Sequence, residues 1–217
     1  MTIEKLREKN PDLKIYSVYD EEFKEYGRVI KDIPLDEIIS ASEKIELPDE
    51  GSSYLPSVES LEKCDAFLPV KEKIFGNLET QIGYTAGHSN FLNASEWHTC
   101  SEFNVAVTPL VLILGKRSDL ENNTIDSSSM KVFYLEKGCA VEVYATTLHF
   151  CPCEVSADGF FCVVGLLKGT NLPLEGEVED KYLFRFNKWI IAHNDNKALL
   201  DRGVMPGMSG VNYEIKY

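Results

Sequence analysis

The sequence lacks any apolar run long enough to cross a bilayer. Its longest, Val105 to Gly115, is about half of what a membrane helix needs. It is also short of positive charge: 22 Lys and Arg stand against 35 Asp and Glu, a formal net charge of −13. That balance repels phosphate backbones and anionic lipid, so neither nucleic-acid binding nor a membrane-surface role is expected. There is no Gly-x-Gly-x-x-Gly fingerprint, no Walker loop and no Gly-x-Ser-x-Gly elbow. The usual equipment for nucleotide binding and serine hydrolysis is therefore missing. Paired Cys-x2-4-Cys spacings are absent too. Cys151-Pro152-Cys153 alone is a weak zinc signal, and core or surface thiols are the expected role. The N-terminus, MTIEKLREKNPDLK, has no apolar centre and does not read as a signal peptide. A cytoplasmic location is expected, with the six cysteines (Cys64, Cys100, Cys139, Cys151, Cys153 and Cys162) reduced.

What is present is enough apolar material for a sizeable core: 44% of 217 residues are hydrophobic, which excludes general disorder. Residues 1–65 read as an α/β segment packed on a larger unit. Lys14–Tyr19 alternates as a strand, Asp20 caps a short helix ended by Gly27, and Arg28–Ile33 returns to a strand. Pro34 opens a helix through Ser42, and Pro48–Pro56 is a polar connector. From Ala66 onward, short segments rich in Val, Ile, Phe, Tyr and Thr alternate with turn residues. The expected strands are Ala66–Pro69, Glu79–Tyr84, Ser95–His98, Phe103–Leu114, Val132–Leu135, Ala140–Thr147, Phe160–Leu167 and Tyr182–Ala192. Such spacing predicts a sandwich or barrel over residues 66–217, with the tail included in that unit.

The chemistry concentrates in Ser95-Glu96-Trp97-His98-Thr99-Cys100-Ser101-Glu102. Glu96 and His98 share one strand face. Glu102 has the same parity, but along a straight strand it would lie roughly 13 Å from His98. A turn at Thr99-Cys100-Ser101 is needed to bring it back. Carboxylates and imidazole so gathered suit a divalent metal or acid–base work.

The spacing Glu96-x-His98-x3-Glu102 resembles the first cupin motif, with Glu96 where the first motif histidine stands. The block Tyr19-Asp20-Glu21-Glu22-Phe23-Lys24-Glu25-Tyr26-Gly27-Arg28-Val29-Ile30 is similar to the opening of ureidoglycolate lyase, and so is Glu96-Trp97-His98 followed by Ser101-Glu102. With Asn187-Lys188-Trp189, the pattern most resembles an uncharacterised cupin-like family distantly related to that lyase. The resemblance implies a mainly β fold, a cupin-type β-barrel (double-stranded β-helix) with an α/β N-terminal extension. It also implies metal ligands near the second motif. There Glu136-Lys137-Gly138 is the turn, and Val141 falls where the motif histidine belongs. Glu142 takes that place if the strand bulges, and His149 lies close by.

The expected metal ligands are therefore His98, Glu102, Glu142 and His149, with manganese, iron or zinc as the ion. Glu96 is expected to move a proton. His88 closes over the barrel mouth, and Lys188 holds a substrate carboxylate or phosphate. The function expected is a metal-dependent lyase or isomerase acting on a small polar hydroxy-acid, ureido or sugar substrate. The alternatives are a non-catalytic small-molecule-binding cupin and a metal-free enzyme like ureidoglycolate lyase. A homodimer is expected, with the strand at Lys14–Tyr19 as the edge that is covered by pairing.

Overall fold

A computed structural model describes residues 1–217. The N-terminal part supplies helix α1 (Ile3–Lys9), capped by the Thr2 hydroxyl on the amide of Lys5, and strands β1 (Ile15–Ser17) and β2 (Gly27–Ile30). Between these strands Glu21–Glu25 forms a 3-10 helix. Helix α2 (Asp36–Ser42), strand β3 (Ser52–Leu55) and helices α3 (Glu59–Glu62) and α4 (Phe67–Lys73) follow. Strands β4 (Thr80–Gly87), β5 (Ala94–Trp97), β6 (Glu102–Ala106) and β7 (Leu110–Lys116) come next. After them stand β8 (Ile125–Asp126), β9 (Lys131–Leu135), β10 (Ala140–Val143), β11 (Thr147–Leu148), β12 (Cys153–Glu154) and β13 (Phe160–Leu167). The chain ends with β14 (Leu183–Arg185), β15 (Lys188–His193), helix α5 (Lys197–Asp201) and β16 (Pro206–Ser209). No helix is long and apolar enough to cross a membrane.

Two facing sheets make the barrel. The first runs β4-β13-β6-β10, entirely antiparallel. In the second, β9 pairs with β7, β7 pairs with β11 and β12, and Glu96 of β5 bridges His149 just beyond β11. Counting β11 and β12 as one strand, the first sheet takes the first, eighth, third and sixth barrel strands. The second sheet takes the fifth, fourth, seventh and second. This double Greek-key order is that of the jelly roll. The fold is thus the mainly β, cupin-type barrel expected from the sequence. The N-terminal segment extends both sheets: β1 adds to β9, β2 to β10 and β3 to β4.

Strand parity sorts the side chains. Leu110, Leu112, Leu114, Phe133, Leu135, Val141, Val143, Phe160 and Cys162 form a dry plug inside the barrel. Their neighbours Phe103, Val105, Phe161 and Val163 point the other way, against Ile38 of α2, Leu61 of α3 and Val70 of α4. The outer face of the second sheet, with Val111, Ile113 and Val132, packs on Leu6 of α1 and on Met208 and Ile215 of the C-terminal part. Both strand faces are covered, so β5, β6 and β10 are buried throughout their length.

Four expected strands differ. Ala140–Thr147 stops as β10 at Val143, and Thr147 opens β11 in the facing sheet. Ala66–Pro69 lies at the start of helix α4: Ala66 and Val70 make one buried stripe while Lys71, Glu72 and Lys73 face outward. A short apolar run does not declare its period. Phe103–Leu114 is two strands, β6 and β7, broken at Val107-Thr108-Pro109, because proline cannot donate to the ladder. Tyr182–Ala192 is a hairpin of β14 and β15, turned at Phe186-Asn187.

Candidate metal centre

The interior of the barrel changes character at one end. Beyond the apolar plug, β6 points Glu102 and Asn104 inward, on the same face as Ala106. β5 delivers Glu96, and His98 follows immediately after it. The chain then bends at Thr99–Ser101 and crosses to the opposite sheet, so Glu102 opens β6. The turn required by the spacing is present, but the returning strand joins the facing sheet and does not pair with β5. His149 enters from the end of β11, held by two backbone hydrogen bonds to Glu96, of 2.6 and 3.0 Å.

These side chains converge. One ligand atom each from Glu96, His98 and His149 lies within 4.8 Å of the other two. Glu102 Oε2 lies 3.6 Å from His98 Nε2 and 3.5 Å from His149 Nε2, and Glu96 Oε1 lies 3.8 Å from His98 Nε2. All four residues are buried. Each imidazole is oriented through its other nitrogen. His98 Nδ1 donates to the Asn187 carbonyl at 2.7 Å, and His149 Nδ1 to the Thr147 carbonyl at 3.3 Å. A carbonyl only accepts, so in the neutral ring the lone pair is left on Nε2. Both Nε2 atoms are buried with no hydrogen-bond partner. An orphaned lone pair of this kind is costly unless something occupies it. Two imidazole nitrogens beside carboxylate oxygens are a donor set for manganese, iron or zinc. The residues present fit a divalent metal ion.

The outer contacts tune the carboxylates. Asn104 Nδ2 donates to Glu102 Oε1 at 2.9 Å, leaving Oε2 toward the histidines. Lys188, the first residue of β15, contacts Glu96 Oε2. The cluster opens into a cavity of about 160 Å³ whose lining includes Tyr54, Asn104, Cys151, Asn171 and Lys188.

Burial alone would raise the Glu102 carboxyl, but the neighbouring imidazoles, His149 first and then His98, outweigh it and hold it well below its ordinary value. Burial also opposes a charged His149, and the Glu102 carboxylate overrides this to raise it. The two contributions bracket a pH window in the metal-free protein. The stabilisation from Glu102 is complete above about 4.3 and is lost as pH falls through its lowered value. That from His149 is complete below about 6.5 and is lost as pH rises through its raised value. Chelator-treated protein is therefore expected to melt highest between about pH 4.3 and 6.5. Thermal melts across pH test this; a melting temperature that climbs steadily above that window contradicts the pairing.

Other expected site residues lie elsewhere. Glu142 is not brought to the cluster. It stands opposite Phe103 and Arg28 in the sheet, on the face turned away from Glu102, and its carboxylate takes Arg28 Nε at 2.6 Å. Its neighbours Val141 and Val143 fill the inward positions, and no bulge shifts the register. His88 does not line the cavity; its Nδ1 lies 2.8 Å from Glu154 Oε2, and Tyr217 donates to the other oxygen of Glu154. The fourth histidine, His193, which the sequence does not assign to the site, is buried outside the cavity and accepts from the amide of Asp195. The sequence does not mark Tyr54 or Asn187 as residues of the site. Tyr54 sits on a four-residue edge strand inside a polar tract, and Asn187 acts through its backbone, so neither left a periodic signal.

With this geometry in place, a family model described as "Domain of unknown function (DUF4867)" matches residues 15–213. The chain belongs to this family. No curated protein matches it. Solved structures with similar strand arrangements include Bacillus subtilis oxalate decarboxylase, a protein with Mn(II) centres. It is 9% identical over 57% of this chain and 28% of that one, with a TM-score of 0.34. Oxalate oxidase in complex with the substrate analogue glycolate is 14% identical over 60% of this chain and 59% of that one, with a TM-score of 0.35. Salicylate 1,2-dioxygenase from Pseudoaminobacter salicylatoxidans is 10% identical over 70% and 34%, with a TM-score of 0.30. The chain spans less than two thirds of the length of each. At such identities these likenesses assign no activity to it.

Proposed function

We propose that this protein is a metal-dependent lyase or isomerase acting on a small polar hydroxy-acid, ureido or sugar substrate. The observation that carries this reading is the convergence of two orphaned, buried imidazole nitrogens with the carboxylates of Glu96 and Glu102 at the mouth of a small cavity. His98, His149 and Glu102 are the residues that would hold the ion. A divalent ion there supplies Lewis-acid polarisation of a carbonyl or hydroxyl oxygen. Glu96, at the cavity wall, is placed to take or return a proton, and contact with Lys188 orients it. Lys188 also lines the cavity and offers a cation to a substrate carboxylate. The dry plug behind the cluster closes the cavity's inner end. The proposal includes a cytoplasmic setting and pairing of two copies through the outer edge of β1, which ends its sheet.

Glu96→Gln separates a proton carrier from a ligand, since the amide keeps the shape and loses the base. It is expected to retain metal by elemental analysis. It should also lower turnover by about 10²–10⁴-fold on the substrate found by screening small hydroxy acids, ureido acids and sugars. Loss of metal from the variant would make Glu96 a ligand. Binding without turnover in either protein would favour a binding module, and turnover by metal-free protein a metal-independent lyase.

A further inference from the structure

The hairpin of β14 and β15 turns at Phe186-Asn187, and Asn187 adopts a left-handed backbone with φ of 54°. Asparagine tolerates that conformation far better than most residues. The turn aims the Asn187 carbonyl at His98 Nδ1, 2.7 Å away. Its side chain then fixes the turn to the loop that carries His98. Oδ1 accepts from the Thr99 amide at 3.0 Å and from the Thr99 hydroxyl at 2.6 Å. Nδ2 donates to Thr170 Oγ1 at 3.0 Å. Because the Thr99 amide only donates, the side-chain amide has one orientation that satisfies all three contacts. One residue thus holds the loop after β5, the segment after β13 and the imidazole between them.

We infer that Asn187 is a positioning residue, which sets the Nδ1–H tautomer of His98 and so presents the Nε2 lone pair to the site. This rests on the metal-centre reading for its purpose, but the tautomer itself is set by contacts within this chain. His98 Nε2 is buried with no hydrogen-bond partner, since Glu102 Oε2 at 3.6 Å and Glu96 Oε1 at 3.8 Å lie beyond that distance, whereas Nδ1 meets the Asn187 carbonyl at 2.7 Å. The Asn187 carbonyl is therefore the group that decides it. Outer-sphere partners of this kind typically contribute 10–100-fold to metal affinity.

The test uses the whole chain and two readouts. In metal-free protein, long-range proton–nitrogen NMR of the histidine rings should place the His98 proton on Nδ1. Asn187→Ala loses the side-chain anchors and disfavours the left-handed backbone, and should drive His98 toward a mixture of tautomers. Titration with Co2+, followed by its visible absorption, should show about 10–100-fold weaker binding. Asn187→Gly keeps the backbone conformation and carbonyl while losing the anchors. It should fall between wild type and Ala, and it serves if the Ala variant does not fold. Asn187→Asp, which keeps an acceptor for Thr99, should lie closest to wild type. A wild-type His98 protonated at Nε2 overturns the inference, as does a Gly or Ala variant with unchanged tautomer and unchanged Co2+ affinity. Wild-type protein that binds no Co2+ but shows the Asn187-dependent tautomer defeats the metal reading and leaves the positioning role standing.

Discussion

On the proposed reading, His98→Ala is expected to purify without metal where the wild-type chain retains it, and to bind added Mn2+ at least about 100-fold more weakly. His98 sits at the centre of the cluster, with Glu96 Oε1 and Glu102 Oε2 within 3.8 and 3.6 Å of its Nε2. Its removal takes one of the two imidazole donors and leaves the Asn187 carbonyl without its proton donor. The stability cost of that unsatisfied group is about 1–3 kcal/mol, small enough for the barrel to remain folded. Elemental analysis of protein purified without chelator measures the metal, and circular dichroism checks the fold. His88→Ala is the matched control: it removes a histidine paired with Glu154 outside the cavity and should keep its metal. Full metal occupancy in His98→Ala, with native dichroism, would show that the ion sits elsewhere.

How far this site is legible in the sequence depends on how each residue is held. Glu96, His98 and Glu102 lie within seven residues, and local spacing plus one bend is enough to bring them together. His149 comes from a strand distant in sequence that lies beside β5 in the same sheet. It is legible because it lies close to the segment where the cupin resemblance expects a ligand, whose own motif position falls at Val141. Glu142 lies outside the cluster for a reason inherent to strands. Shifting a strand by one residue exchanges its faces, and the register is set by pairing with β2 and β6, which no local pattern reveals. The N-terminal strands contribute edges to both sheets, a long-range pairing that composition cannot supply. Tyr54 and Asn187 are harder still. One reaches the cavity from a strand only four residues long, and the other works through a carbonyl that every residue possesses.

Lys188→Met is expected to destabilise the metal-free protein by about 2–4 kcal/mol and the metal-loaded protein by much less. The Lys188 ammonium contacts Glu96 Oε2, and their side chains are only 17% and 11% exposed. A carboxylate so enclosed, deprived of its cation, must remain as an uncompensated charge or take up a proton. Glu102 stands in the same cavity, so two acids would then face each other with little to offset them beyond the His98 and His149 imidazoles. A divalent ion restores the balance, because its charge replaces what the lysine supplied. Two consequences can be measured together. Denaturant melts of chelated protein should show the loss, and melts with saturating Mn2+ should recover most of it. The gap between the two states should therefore be wider in Lys188→Met than in wild type. By linkage, the same widening requires that the variant bind the ion more tightly. Isothermal titration with Mn2+ reads that directly, and a weaker affinity in Lys188→Met would mean that the lysine orients Glu96 for the ion and does not compete with it. Equal stability of chelated variant and wild type would show that the pair contributes nothing to the fold, leaving Lys188 free for a substrate carboxylate alone.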